Sequence, residues 1–147
     1  MPGLEDGKPG DSLTERLTDE AIGFLRRSQK KPFFLLLSHY AVHTPLQALA
    51  VDKNHFENKV PSGKQNNPTY AGMVAELDRQ TGRLLDELQT LGLNENTLVI
   101  FTSDNGGLAA HSRGGPPHVS NAPLRSGMGS AYDGGIRVPL IVQGLDK

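Results

Sequence analysis

The chain has 147 residues, with 15 Lys+Arg against 16 Asp+Glu and a formal net charge of -1, which lacks the basic excess of an electrostatic nucleic-acid binder. A hydrophobic fraction of 36%, a mean hydropathy of -0.40 and no apolar run near the roughly 20 residues of a membrane helix predict a soluble chain with neither nucleic acid nor membrane as partner. The absence of cysteine excludes disulfides, thiolate metal sites and a cysteine nucleophile, and leaves the compartment unreadable from redox chemistry.

The length suits one domain with a single core. The opening MPGLEDGKPGDS is acidic and rich in Gly and Pro, without the positive start, apolar stretch or cleavage site of a secretory signal. Either the protein is not exported or its start lies upstream. Residues 1–11 are expected to be a flexible segment ahead of a domain over residues 12–147.

Leu13, Leu17, Ala21, Phe24 and Leu25 recur at helical spacing, predicting a helix from about Ser12 to Ser28. Ser12 followed by Glu15 has capping-box spacing, and Thr18 before Asp19 and Glu20 is an equally good start. Pro32 then precedes Phe33-Phe34-Leu35-Leu36-Leu37, a continuous apolar run that reads as a strand buried on both faces. A polar connection is expected from there to Pro68. Tyr70, Met73, Val74, Leu77, Leu84, Leu85, Leu88 and Leu91 mark the longest amphipathic helix, which Gly92 is placed to end. Thr97 to Thr102 reads as a second buried strand. Eight of the 17 glycines follow between Asp104 and Arg137, predicting a long glycine-shaped loop. Val138 to Val142 makes a third strand, at an edge because Pro139 removes a ladder donor. This order implies an α/β architecture with a mostly parallel sheet flanked by helices, whose functional groups gather at the carboxyl ends of strands.

Two polar clusters occupy that position. Asp104 and Asn105 offer adjacent hard oxygens of the kind calcium or magnesium favours, with Gly106 and Gly107 letting the backbone turn away. An ordinary Asp-Asn-Gly turn explains the same tripeptide. His43 stands before Thr44-Pro45, suited to general-acid work or to an anion, and is equally readable as a surface histidine. His39 and His43 are four apart in a non-helical segment, which excludes a helical zinc pair. Arg125 and Arg137 flank the glycine-rich stretch, fit to bind an oxyanion or to anchor the loop on a carboxylate such as Asp133. Gly127-Met128-Gly129 is a weak phosphate-loop signal.

Taken together, LTERLTDEAIGFL, KPFFLLLSHYAVHTPLQA, NPTYAGMVAELDRQTGRLLDELQTLGLNENTLVIFTSDNGG and NAPLRSGMGSAYDGGIRVPLIV resemble the sulfatase family of the alkaline-phosphatase-like superfamily, and most resemble bacterial enzymes acting on aryl or carbohydrate sulfate esters. The resemblance implies an alkaline-phosphatase-like α/β fold, incomplete here because the match is to a central piece. It implies half of a calcium site at Asp104 and Asn105, and contact of His43 with the sulfate while it helps protonate the leaving oxygen. It also implies a sulfate ester of a small molecule or glycan as partner. The family's formylglycine nucleophile arises from a Cys/Ser-x-Pro-x-Arg motif, and this sequence has no Cys and no such motif around Ser38, Ser103, Ser130 or any other serine. Met128 stands where the family has a substrate-binding Lys, and Asp133 where it usually has Glu. The isolated chain is therefore expected to be a partial, catalytically incompetent sulfatase domain that binds calcium weakly and associates through unpaired sheet edges. A non-catalytic relative binding a divalent cation or sulfated ligand, and a phosphoryl-ester hydrolase, are the alternatives.

Overall fold

A computed structural model of the chain describes residues 6–109 and 119–144. These fall into two compact units, one drawn from residues 1–58 and 68–94 and the other from residues 59–67 and 95–147. Gly114 and Gly115 of the glycine-rich region lie outside the described residues.

The first unit is built from three helices: α1 (Leu13–Ser28), α2 (Ala50–Glu57) and α3 (Pro68–Thr90), with α1 and α2 each packed on α3. Ser12 caps α1, its Oγ accepting the Glu15 N–H at 3.2 Å, so the first of the two possible starts is the one used. Proline suits the first position of α3 because its missing N–H would have no helical partner there. The helix ends in a Schellman turn: Gly92, at φ +67°, donates to Gln89 O at 3.0 Å, and Leu93 N–H reaches Leu88 O at 2.9 Å.

Buried Ala21, Ile22 and Leu25 on α1, with Leu88 on α3, make a small apolar core. The amphipathic reading holds: of the eight apolar positions Leu88 is buried and all the others but Val74 are half-buried. The buried face of α3 also carries Gly72, Glu76 and Gln80, four apart. Glu76 accepts from Ser12 Oγ at 3.1 Å and from Gln80 Nε2 at 2.9 Å. Arg79 pairs with Glu76 and forks onto both oxygens of Asp52, at 3.1 and 2.8 Å. Asp52 is the only buried residue of α2. That helix was expected to be polar connection, because it carries no apolar stripe: Val51 is 71% exposed, and a buried carboxylate attaches it instead.

The run Phe33 to Leu37 is not a strand buried on both faces. It joins no ladder, and its exposure alternates: Phe33, Leu35 and Leu37 are half-buried while Phe34 and Leu36 are exposed. The period is that of a strand, but no neighbouring strand among the described residues takes up its backbone groups. Phe33 meets Phe24 of α1 edge to face, with ring centroids 5.9 Å apart.

The second unit holds β1 (Val99–Thr102), α4 (Asp133–Ile136) and β2 (Leu140–Gln143). β1 and β2 pair antiparallel, with Val99 opposite Gln143 and Thr102 opposite Leu140. Parallel pairing was expected, but among the described residues the only sheet is this antiparallel pair. Parallel neighbours need a crossover, usually a full helix, and α4, four residues long, is the only helix described between these strands. The α/β composition stands: three helices in one unit, a sheet and the short α4 in the other.

Two outcomes are expected. A Cβ on Gly72 would lie 2.9 Å from Ala48 Cβ and 3.2 Å from Lys53 N, so Gly72→Ala should push α2 away and destabilise the chain by about 1–3 kcal/mol, measured by urea unfolding. With Phe34 85%, Leu36 76% and Leu140 67% exposed, sedimentation velocity at micromolar concentration should show dimers or larger species; a compact monomer would contradict this.

Candidate functional site

β1 runs directly into Ser103-Asp104-Asn105. Ser103 Oγ donates to Asn105 O at 2.9 Å, closing the turn. The Asp104 side chain is exposed, with no hydrogen-bond or ion-pair partner among the described residues, and Asn105 is half-buried. The chain then turns into the glycine-rich region, where Gly106 N–H donates to Gly135 O at 2.9 Å.

The Gly107 carbonyl oxygen receives three donors, Ala109 N–H at 2.8 Å, Met128 N–H at 3.0 Å and Asn121 Nδ2 at 2.9 Å. The Met128 backbone is thereby fastened to Gly107, two residues beyond Asn105, and all three predicted residues lie in the second unit. Glycine is required at these crossings, as two positions illustrate. A Cβ on Gly127 would overlap Gly107 O, and one on Gly134 would overlap the carbonyl oxygens of Arg125 and Ser126. Ser126 adopts φ +67° without being glycine, and its carbonyl accepts from Asn121 at 3.2 Å. Sequence reasoning missed both Ser126 and Asn121, whose only signal was a polar residue just before Ala122-Pro123.

Arg125 does not pair with Asp133. Its guanidinium stands 3.8 Å above the Tyr132 ring, a cation–π contact that leaves its donors free of any carboxylate among the described residues. Arg137 is exposed, and its backbone N–H donates to Asp133 O at 2.9 Å.

His43 belongs to the first unit. Its N–H donates to Tyr40 O at 2.9 Å, closing a turn, and its Nδ1 lies 2.6 Å from Thr44 O. A carbonyl oxygen only accepts, so Nδ1 carries the hydrogen, and the exposed Nε2 is left to accept or, in the imidazolium, to donate. His39 is different: its Nδ1 is buried without a partner, and burial pushes its pKa below the ordinary histidine value.

Asp104 and Asn105 have the donor chemistry of a hard-cation site, one charged oxygen ligand and one neutral. Calcium takes about six to eight oxygens, and no group of three or more His, Cys, Asp or Glu suited to a metal occurs among the described residues. The pair therefore fits part of a coordination shell.

The sulfatase family model matches residues 2–146. The chain is 41% identical over 133 residues to steryl-sulfatase of Mus musculus, covering 89% of this chain and 20% of the relative. It is 36% identical over 151 residues to a sulfatase of Formosa agariphila, covering 95% of this chain and 26% of the relative. Among solved structures it resembles Ps i-CgsB in complex with k-i-k-neocarrahexaose, with a TM-score of 0.79, 39% identity, and coverage of 92% of this chain and 29% of that one. It thus spans only about a fifth to a quarter of the curated relatives' length.

The environment of His39 has a measurable consequence. With its pKa lower in the folded chain than the unfolded value of about 6.5, the unfolded chain takes the proton first. The stability this group contributes is complete above that unfolded pKa and is lost as pH falls from there towards the folded value. The melting temperature should fall with acidification through this window, and His39→Gln should flatten the slope.

Proposed function

Because the chain belongs to the sulfatase family, we propose that it supplies part of a sulfuric-ester hydrolase site acting on aryl or carbohydrate sulfate esters. The observation that carries this reading is the His43 imidazole. Its Nδ1 is committed to the Thr44 carbonyl 2.6 Å away, which fixes the ring and leaves Nε2 to hold the mobile proton. In the imidazolium form, Nε2–H donates towards the leaving oxygen of the ester. Transfer of that proton leaves the neutral Nδ1–H tautomer that Thr44 already stabilises, and spares the expulsion of a strongly basic alkoxide.

Asp104 and Asn105 would hold calcium, or magnesium, through one carboxylate and one amide oxygen. When bound, the cation would neutralise charge on the sulfate oxygens and polarise the sulfur for attack. Met128, where the sulfatase resemblance expects lysine, contributes a half-buried thioether that carries no charge and donates no hydrogen bond. The covalent nucleophile is not supplied by these 147 residues, which hold no cysteine and no Cys/Ser-x-Pro-x-Arg motif. They bind and protonate without completing turnover. Met128 favours a second reading, a relative that binds a cation or sulfated ligand and performs no chemistry.

Assays of the 147-residue chain with 4-nitrophenyl sulfate and 4-nitrophenyl phosphate are expected to show turnover of neither. In the presence of calcium chloride, the sulfate ester should shift the His43 ring resonances, and His43→Gln should abolish its binding. Turnover of the phosphate ester would overturn the proposal in favour of phosphoryl-ester hydrolysis. A calcium-dependent rise in melting temperature with unmoved His43 resonances would favour the second reading.

A further inference from the structure

Three stretches of the second unit converge on one side-chain amide. Asn121 Nδ2 donates to Gly107 O at 2.9 Å, to Gly134 O at 2.9 Å and to Ser126 O at 3.2 Å, so its two hydrogens serve three carbonyls, one of them shared. Gly107 lies two residues beyond Asn105, Ser126 two residues before Met128, and Gly134 in α4. The remaining bonds close the ring: Met128 N–H to Gly107 O at 3.0 Å, Gly106 N–H to Gly135 O at 2.9 Å, and Gly134 N–H to Arg125 O at 2.9 Å.

Asn121 is itself held from behind. Gln65 Nε2 donates to Ser120 O, and Ser120 N–H donates back to Gln65 Oε1 at 3.3 Å, pinning the residue before it through a reciprocal pair of amide bonds. The amide therefore has fixed backing and an all-acceptor front. Three carbonyl oxygens in close array repel one another and require donors between them. Asparagine supplies those donors on a short side chain, whereas the isosteric carboxylate would add a fourth negative oxygen.

We propose that Asn121 is the positioning residue of the candidate cation and sulfate site, fixing the Asp104-Asn105 turn relative to the Met128 loop by bonding the carbonyls of both. This rests on the sulfatase reading for what the site binds, and on the hydrogen bonds alone for the latch. Asn121 touches neither ligand and acts through Gly107 and Ser126. Loss of such a supporting hydrogen bond typically costs a metal site about 10- to 100-fold in affinity, and a loss of that size is expected here.

The test compares the 147-residue chain with Asn121→Ala and Asn121→Asp by calcium chloride titration and by amide hydrogen exchange. Both variants should weaken calcium binding by about 10-fold or more and speed exchange of the Met128 and Gly106 amides. Asn121→Asp adds a signature that packing alone does not give. Its carboxyl, facing three carbonyl oxygens, is held protonated to higher pH than usual, and protonation restores one donor. After correction for intrinsic exchange, protection at Met128 and Gly106 should thus recover as pH falls in Asn121→Asp, and stay low in Asn121→Ala.

Equal protection in all three proteins would overturn the proposal. Should both variants fail to fold, the unaltered chain decides: the Asn121 side-chain amide protons should exchange slowly and give nuclear Overhauser contacts to Gly107, Ser126 and Gly134, and fast exchange without those contacts would overturn it. Absence of calcium binding by the unaltered chain would sink the cation assignment, while the exchange measurements would still decide the latch.

Discussion

In the second unit, segments far apart in sequence meet backbone to backbone, with one side-chain amide, that of Asn121, bridging them. The Gly107 carbonyl is the meeting point, accepting from the Met128 N–H and from the Asn121 amide. Such contact needs glycine where a Cβ would strike a facing carbonyl, as at Gly127 and Gly134, and it needs donors that can satisfy carbonyls withdrawn from water. The position of the Asp104-Asn105 turn beside the Met128 loop follows from these two requirements. The strands contribute little to it: they are four residues each, and β2 is exposed throughout.

The first unit is held differently. Its apolar core is small, and the α3 face that packs inward carries Glu76 and Gln80 as well as Gly72. Its buried carboxylates and hydroxyl are answered: Glu76 by Ser12, Arg79 and Gln80, Asp52 by the Arg79 fork, and Thr18 by the Thr14 carbonyl. Removal of one partner would leave an uncompensated polar group, a larger penalty than the net worth of the bond. At the more exposed edge of the same packing, Arg26 forks onto Glu87 at 2.7 and 2.9 Å, and this pairing holds the Glu87 carboxyl below its ordinary pKa.

Chemically, the chain offers an imidazole with one nitrogen committed to a carbonyl and a pair of hard oxygen ligands at a strand end. It offers a thioether where the sulfatase resemblance expects an ammonium. In the proposed reading these parts hold a sulfate ester and a cation and move a proton to the leaving oxygen.

Local periodicity and capping chemistry made α1, the end of α3 at Gly92, β1 and β2 legible in the sequence, because each depends on residues within a few positions of one another. The candidate site was legible as residue types, His43, Asp104, Asn105 and Met128, through their motif context. Hidden from the sequence were α2, which lacks an apolar stripe and is attached through Asp52, and Asn121, whose three acceptors come from distant segments. Also hidden was the fate of Phe33 to Leu37, since a strand forms only where another segment takes up its backbone groups. The sequence by itself thus determined α1 and α3, their caps and the chemistry available. Tertiary structure alone decided that Glu76 and Gln80 join the buried face of α3, how the strands pair and what fixes the Asp104-Asn105 turn, because each of these depends on hydrogen bonds between groups that only folding brings within reach.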